Sequence, residues 1–330
     1  MRVDAVFEGG GVKGIGLVGA IYYAETEKNV EWMNVAGTSA GAMVASLIAA
    51  RYRAAEIKDI MFNELDFNKI QDEGSLDRIP IIGKPMSVFF ENGIYEGKYI
   101  EDFIARKLAE KNVYTFKDLV IEDETNPRYR YKLNVIASDI SRGKLLVLPH
   151  DIKDYGIEPD DFSVAEAVRM SMSIPLIFEP VIKSTKHLRD MPEQCYIVDG
   201  GMLSNYPVWL FDSASKDISW PTVGFRLVGP QDGKPREINN PLDFLTAILA
   251  TLLGAHDERH IQDLNFKRTV PIKTLGVGTT EFDITPERKN MLFESGVEAA
   301  KSFFASFSEE EYASLHPSFE RSKKTKERLS

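Results

Sequence analysis

The chain has 330 residues, 43% of them hydrophobic and 27% charged, with a net charge of −10. That balance suits a globular protein with a sizeable core, and it excludes general attraction to nucleic acid or to anionic lipid. No apolar run approaches the ~18 residues that a transmembrane helix needs, and the single cysteine, Cys195, excludes an internal disulfide and reads as a buried thiol.

Residues 3–7 form a short apolar run that ends at Gly9-Gly10-Gly11-Val12-Lys13-Gly14, and residues 15–24 continue with helical spacing. The pattern predicts strand, tight turn, helix. No basic or apolar leader precedes this strand, so a secretory signal is not expected and cytoplasmic residence is. A second strand over 32–36 runs into Gly37-Thr38-Ser39-Ala40-Gly41 and then a helix through Met43, Val44, Leu47 and Ile48. Two such units in succession predict an α/β fold with a parallel sheet and crossover helices. Both turns should open at the carboxyl ends of the strands, where the sites of α/β folds lie.

Residues 66–92 fit neither period. Their apolar residues, from Ile79 to Phe90, are broken by prolines and a glycine. They are expected to form a buried connection or a mobile cover over a binding groove. Further strands are predicted over 132–137, 144–148, 195–198, 223–228 and 270–275, and helices over 98–111, 164–171, 242–264 and 286–305. Residues 155–162 form a polar insertion with no assignable chemistry. One domain over residues 1–310 is the simplest organisation. The tail, 311–330, is locally basic around Lys323, Lys324 and Lys326, and suits a frayed terminus or a weak contact with anionic membrane.

Three stretches carry chemistry. Gly37 to Gly41 matches G-x-S-x-G, in which a strained strand-to-helix turn exposes a nucleophilic serine, here Ser39. Gly37 and Gly41 keep that turn uncrowded. In the first turn, Gly9, Gly10 and Gly11 can aim backbone N–H groups outward at a helix N-terminus, which suits an oxyanion. Gly10 and Gly11 are the favoured donors, with the Ala40 amide a third by analogy with the elbow. Lys13 and Gly14 complete the turn, the lysine packing its stem and keeping its ammonium in water. The same residues satisfy G-x-G-x-x-G, but a dinucleotide site needs an acid ending the second strand, which instead delivers Ser39. Gly14 follows Lys13 where a phosphate loop needs Ser or Thr. No cofactor is expected.

The base is the remaining choice. Of five histidines (His150, His187, His256, His260, His316), none lies in a motif with geometry for Ser39. His256 and His260 stand one helical turn apart, but Glu258 is misplaced for either zinc pattern, so no metal site is expected. Asp199 ends an apolar run and precedes Gly200 and Gly201, which leave room beside its carboxylate. Desolvation and a hydrogen bond from serine can turn such an aspartate into a base.

This constellation, G-G-G-x-[KR]-G, then G-x-S-x-G, then D-G-[GA], resembles the patatin-like phospholipase family. Asn134 to Asp139 and Val168 to Val181 are similar to that family's central strand and to its helix-to-loop passage before the aspartate. The resemblance covers residues 2–207. It implies a three-layer α/β/α sandwich with a mostly parallel central sheet. It also implies a lipid acyl hydrolase, of phospholipase A or lysophospholipase type, using a Ser39–Asp199 dyad and an acyl-enzyme without a metal. The implied partner is a phospholipid or other fatty acyl ester, met through transient contact with a membrane surface. The alternatives are an esterase, thioesterase or acyltransferase on soluble acyl donors, or a non-catalytic lipid-binding protein.

Overall fold

In the computed structural model the short apolar runs become the strands of one eight-stranded sheet. The structure describes residues 1–70, 97–122, 124, 126–186, 188, 191–212, 220–229, 238, 247, 251, 267–309 and 312. The strands are β1 (Arg2–Phe7), β2 (Glu31–Thr38), β3 (Leu133–Asp139), β4 (Lys144–Leu148), β5 (Val181–Ser184), β6 (Gln194–Asp199), β7 (Thr222–Val228) and β8 (Thr269–Lys273). The described helices are α1 (Ile15–Lys28), α2 (Ala40–Ala49), α3 (Ala54–Asp59), α4 (Lys98–Glu110), α5 (Val164–Ser171) and α6 (Pro286–Ser306).

Five strands run parallel in the order β3-β2-β1-β7-β8. Their near-continuous apolar sequences suit strands covered on both faces, and every residue of β3 is buried. β4 and β6 pair antiparallel with β3, and β5 pairs antiparallel with β6. The sheet is therefore mixed at this edge, as a mostly parallel sheet allows.

The register on β3 positions the site. One side of β3 is held by β4. On the other side β2 ends with Thr38 opposite Ile136, and β6 arrives from the opposite direction with Asp199 opposite Ala137. Two strands of opposite sense thus bring their carboxyl ends together along one side of a third.

Alternation along the strands divides the core. Ala5, Phe7 and Val35 join the large cluster with α1 and α2, whereas Val6 and Ala36 meet Tyr129, Tyr206, Val208, Leu210 and Phe211 on the other face. All ten residues of α2 are buried, as a helix apolar on every side requires. α1 and α6 pack through glycines. A Cβ on Gly19 would lie 1.9 Å from the Phe293 carbonyl oxygen, and one on Gly296 would lie 1.9 Å from that of Gly16.

Most predicted elements stand within a few residues of their expected ends. The first helix runs on to Lys28 and closes at Asn29, whose φ of 48° gives a left-handed cap. The strand expected over 270–275 stops at Lys273, because Leu275 turns the chain at φ 53°. β5 was not expected. Its four residues are half exposed and pair on one side only, so no alternation marks them. Apart from residues 247 and 251, the helix over 242–264 lies outside the described residues, as do the cover residues 71–92, the basic tail from 313 onward, and His187, His256, His260 and His316. Among the described residues, no helix is long and apolar enough to cross a membrane.

Candidate active site

β2 delivers Ser39 to its carboxyl end with φ 53° and ψ −125°, a strained conformation for any residue but glycine. The glycines on either side make the turn possible. A Cβ on Gly37 would lie 2.3 Å from the Gly41 carbonyl, and one on Gly41 would lie 2.4 Å from the Phe7 carbonyl oxygen. Strand, elbow and helix therefore interlock with no room for a side chain, as the sequence pattern implied.

The glycine turn lies against this elbow. A Cβ on Gly9 would come within 3.2 Å of the Ser39 Cβ, and one on Gly14 within 3.1 Å of the Ala40 Cβ. Gly11 takes φ 56° and stands against Thr279, whose carbonyl accepts the Val12 N–H at 3.1 Å. The three glycines do not serve alike. Gly9 donates its amide to the Asn205 carbonyl at 3.1 Å, so that N–H is spent and Gly9 is not a free oxyanion donor. Gly10 and Gly11 donate no hydrogen bond to any described residue, and Ala40, first in α2, has no intrahelical acceptor. Lys13 is half buried, with its Cε 3.4 Å from the point a Gly10 Cβ would occupy.

Asp199 stands at the end of β6 and is 2% exposed; Ser39 is 3% exposed. One carboxylate oxygen, Oδ1, accepts the Gly201 N–H at 2.7 Å, which gives the second glycine of the D-G-G stretch its role. The first, Gly200, presses on β3: a Cβ there would lie 2.3 Å from the Ile136 carbonyl oxygen. Among the described residues, Oδ2 has no hydrogen-bond partner. Burial pushes the Asp199 carboxyl up from 3.8 to about 6, against the opposing pulls of the Ser39 hydroxyl and the Gly201 amide. The Ser39 hydroxyl is thus near enough to act on the carboxyl without forming a hydrogen bond of good geometry. Such contacts commonly tighten only when substrate is bound.

Several neighbours escaped sequence reasoning. Ser171 accepts the Ser39 N–H at 2.8 Å, and the Ser173 carbonyl accepts the Asp199 N–H at 2.9 Å. Asn205 brackets Gly9, since its Nδ2 reaches the Gly9 carbonyl at 3.3 Å and Glu8 Oε1 at 3.3 Å. Thr38 donates its hydroxyl to the Ser204 carbonyl at 3.1 Å. The available signal was the pair of serines in the otherwise apolar passage from Met170 to Ile177, shortly before the aspartate. Of the histidines only His150 is described, and it packs edge-on against Tyr131. Among the described residues no group of three or more His, Cys, Asp or Glu could hold a metal ion.

The family model described as patatin-like phospholipase matches residues 5–212, from β1 to just beyond the loop that brackets Gly9. An uncharacterized protein of Bacillus subtilis (strain 168), YqhO, is 37% identical over 305 residues, covering 92% of this chain and 98% of that protein. An uncharacterized protein of Acanthamoeba polyphaga mimivirus is 24% identical over 310 residues, covering 90% and 92%. Among solved structures, VipD from Legionella pneumophila superposes with a TM-score of 0.52 at 18% identity, over 92% of this chain and 67% of VipD. That likeness is one of fold.

Proposed function

The chain belongs to the patatin-like phospholipase family, and from that premise we propose that it is a serine-dependent lipid acyl hydrolase. Its substrates on this reading are phospholipids or related fatty acyl esters, cleaved by Ser39 and Asp199 through an acyl-enzyme. The observation that carries the reading is a buried aspartate beside a strained serine, with its Oδ2 and the nearby Gly10 and Gly11 amides unpartnered among the described residues.

In the first half-reaction Ser39 Oγ attacks the ester carbonyl carbon while Asp199 Oδ2 takes the hydroxyl proton. The oxyanion that forms is held by the amides of Gly10, Gly11 and Ala40. Each such donor is worth about 3 kcal/mol in the transition state. Collapse expels the alcohol or lysolipid, which recovers the proton from Asp199. Water then gives a proton to Asp199 as it attacks the acyl-serine, and the intermediate collapses to fatty acid while Asp199 returns that proton to the Ser39 oxygen. Each proton moves between serine, aspartate, substrate and water. A carboxyl raised to about 6 is a stronger base than an ordinary aspartate, yet it is largely ionised at neutral pH.

The test is hydrolysis of mixed phospholipid vesicles in the presence of a chelator, with products resolved by mass spectrometry. Wild type is expected to release fatty acid, and Ser39→Ala and Asp199→Asn to lose at least about a thousandfold in rate. Unchanged release by Ser39→Ala would remove the reading. Labelling of the wild type by a fluorophosphonate, absent in Ser39→Ala, would exclude a purely lipid-binding role.

A further inference from the structure

Building on the Ser39–Asp199 reading, we propose that Ser171 is a positioning residue that holds the strained Ser39 backbone at a set distance from Asp199. Its side chain is fully buried and makes two hydrogen bonds of opposite sense. The Oγ accepts the Ser39 N–H at 2.8 Å and donates to the Ile136 carbonyl at 2.5 Å. Ile136 is the β3 residue opposite Thr38. The hydroxyl therefore ties the elbow to the strand along which β2 and β6 meet.

Two residues further on, the same turn takes hold of the partner group. The Ser173 carbonyl accepts the Asp199 N–H at 2.9 Å. Ser173 is itself fixed, because its hydroxyl donates to the Arg169 carbonyl at 2.8 Å and accepts from the Arg169 guanidinium. That guanidinium is buried and also donates to the Glu179 carbonyl at 2.8 Å. The end of α5 and the two residues that follow it thus grip the main chain of both Ser39 and Asp199.

This grip has a physical function that ordinary core packing does not supply. A non-glycine residue at φ 53° persists only where its surroundings over-determine it. Without the Ser171 hydroxyl, the Ser39 N–H would be buried with no partner among the described residues, and a buried orphan favours rearrangement. Relaxation of the elbow would carry Ser39 Oγ away from Asp199. A misplacement of about 1 Å in reacting groups typically costs on the order of a hundredfold in rate. Ser46 supplies the contrast: it is equally buried, but its hydroxyl donates to the Met43 carbonyl within α2.

The test compares purified Ser171→Ala, Ser171→Cys, Ser171→Thr and Ser46→Ala with wild type and Ser39→Ala. Turnover of a soluble short-chain ester and the rate of fluorophosphonate labelling are followed across pH. Ser171→Ala is expected to lower kcat and labelling by about 10- to 100-fold with little change in KM. Its acid limb should move to higher pH, because the Ser39 hydroxyl no longer pulls the Asp199 carboxyl down. Ser171→Thr, which keeps the hydroxyl, should recover much of the rate. Ser171→Cys is nearly isosteric with a weak acceptor, so it should lose rate in the same direction even if the alanine variant folds poorly. Wild-type kcat and limb in folded Ser171→Ala or Ser171→Cys would overturn the inference, as would equal kinetic losses in Ser46→Ala. Turnover by Ser39→Ala would instead remove the dyad on which it rests.

Discussion

Thr38 and Asp199 occupy consecutive rungs on one side of β3, Thr38 opposite Ile136 and Asp199 opposite Ala137. β2 runs parallel to β3 and β6 antiparallel, so the two carboxyl ends face one another. Ser39 follows Thr38 directly. Serine and aspartate, 160 positions apart in the chain (199 − 39), thus meet by strand register and not by loop flexibility.

The first expectation concerns pH. Asp199 acts as a base only when ionised, and burial sets its carboxyl at about 6. The kcat/KM profile should therefore rise with pH through a limb near 6 and level off above it. A limb near 4 would mean that the carboxyl is solvated in the working enzyme.

The same burial opposes folding. The folded pKa lies above the ordinary 3.8, so the folded state binds more protons than the unfolded state between the two values. Stability from this group is then full below about pH 4 and falls as pH rises toward 6. The shift corresponds to about 3 kcal/mol. Asp199→Asn should be more stable than wild type above pH 6 and equal to it in acid, while losing turnover. Urea unfolding at two pH values decides it.

Asp4 offers the same linkage away from the site. It lies toward the amino end of β1, where burial raises its carboxyl to about 8, against the pull of the Asn34 N–H at 3.0 Å. Stability should fall as pH rises from about 4 through 8, and Asp4→Asn should remove that fall while leaving kcat unchanged. Thermal melts across this range, with kcat measured alongside, would separate the two carboxylates.

Asn205 should matter through the glycine turn. Asn205→Ala keeps the carbonyl that accepts the Gly9 N–H but loses the side-chain bonds to Gly9 and Glu8. A drop in kcat of about tenfold or more, with KM little changed, is expected from the loosened oxyanion donors. Asn205→Asp should be worse, because it sets a second carboxylate against Glu8. Steady-state kinetics on a soluble ester distinguishes these outcomes.

Two glycine substitutions should separate site from scaffold. Gly296→Ala forces a Cβ to 1.9 Å from the Gly16 carbonyl oxygen and should part α1 from α6. Gly41→Ala forces one to 2.4 Å from the Phe7 carbonyl oxygen, at the elbow itself. Each should destabilise by about 3 kcal/mol or more. Per folded molecule, Gly296→Ala should keep fluorophosphonate labelling and Gly41→Ala should lose it. Calorimetry with labelling of the surviving fraction reads both effects.

The sequence by itself determined the two strand-turn-helix units, the stations of Ser39 and the glycine turn, and the D-G-G corner. Each is written in local chemistry: apolar runs set strands, and glycines mark where backbone must approach backbone. Tertiary structure alone decided that Asp199 reaches Ser39, since that follows from antiparallel pairing of β6 beside the end of β2. It also decided that Gly9 spends its amide on Asn205, while Gly10 and Gly11 donate to no described residue. The two serines stood out in an apolar passage, but their grip on the ends of β2 and β6 was decided by the tertiary structure. Hydrogen bonds between residues far apart in the chain have no period and no fixed spacing, so no local pattern encodes them. The edge strand Val181–Ser184 was hidden for a related reason, because its pairing with β6, and not its own alternation, makes it a strand.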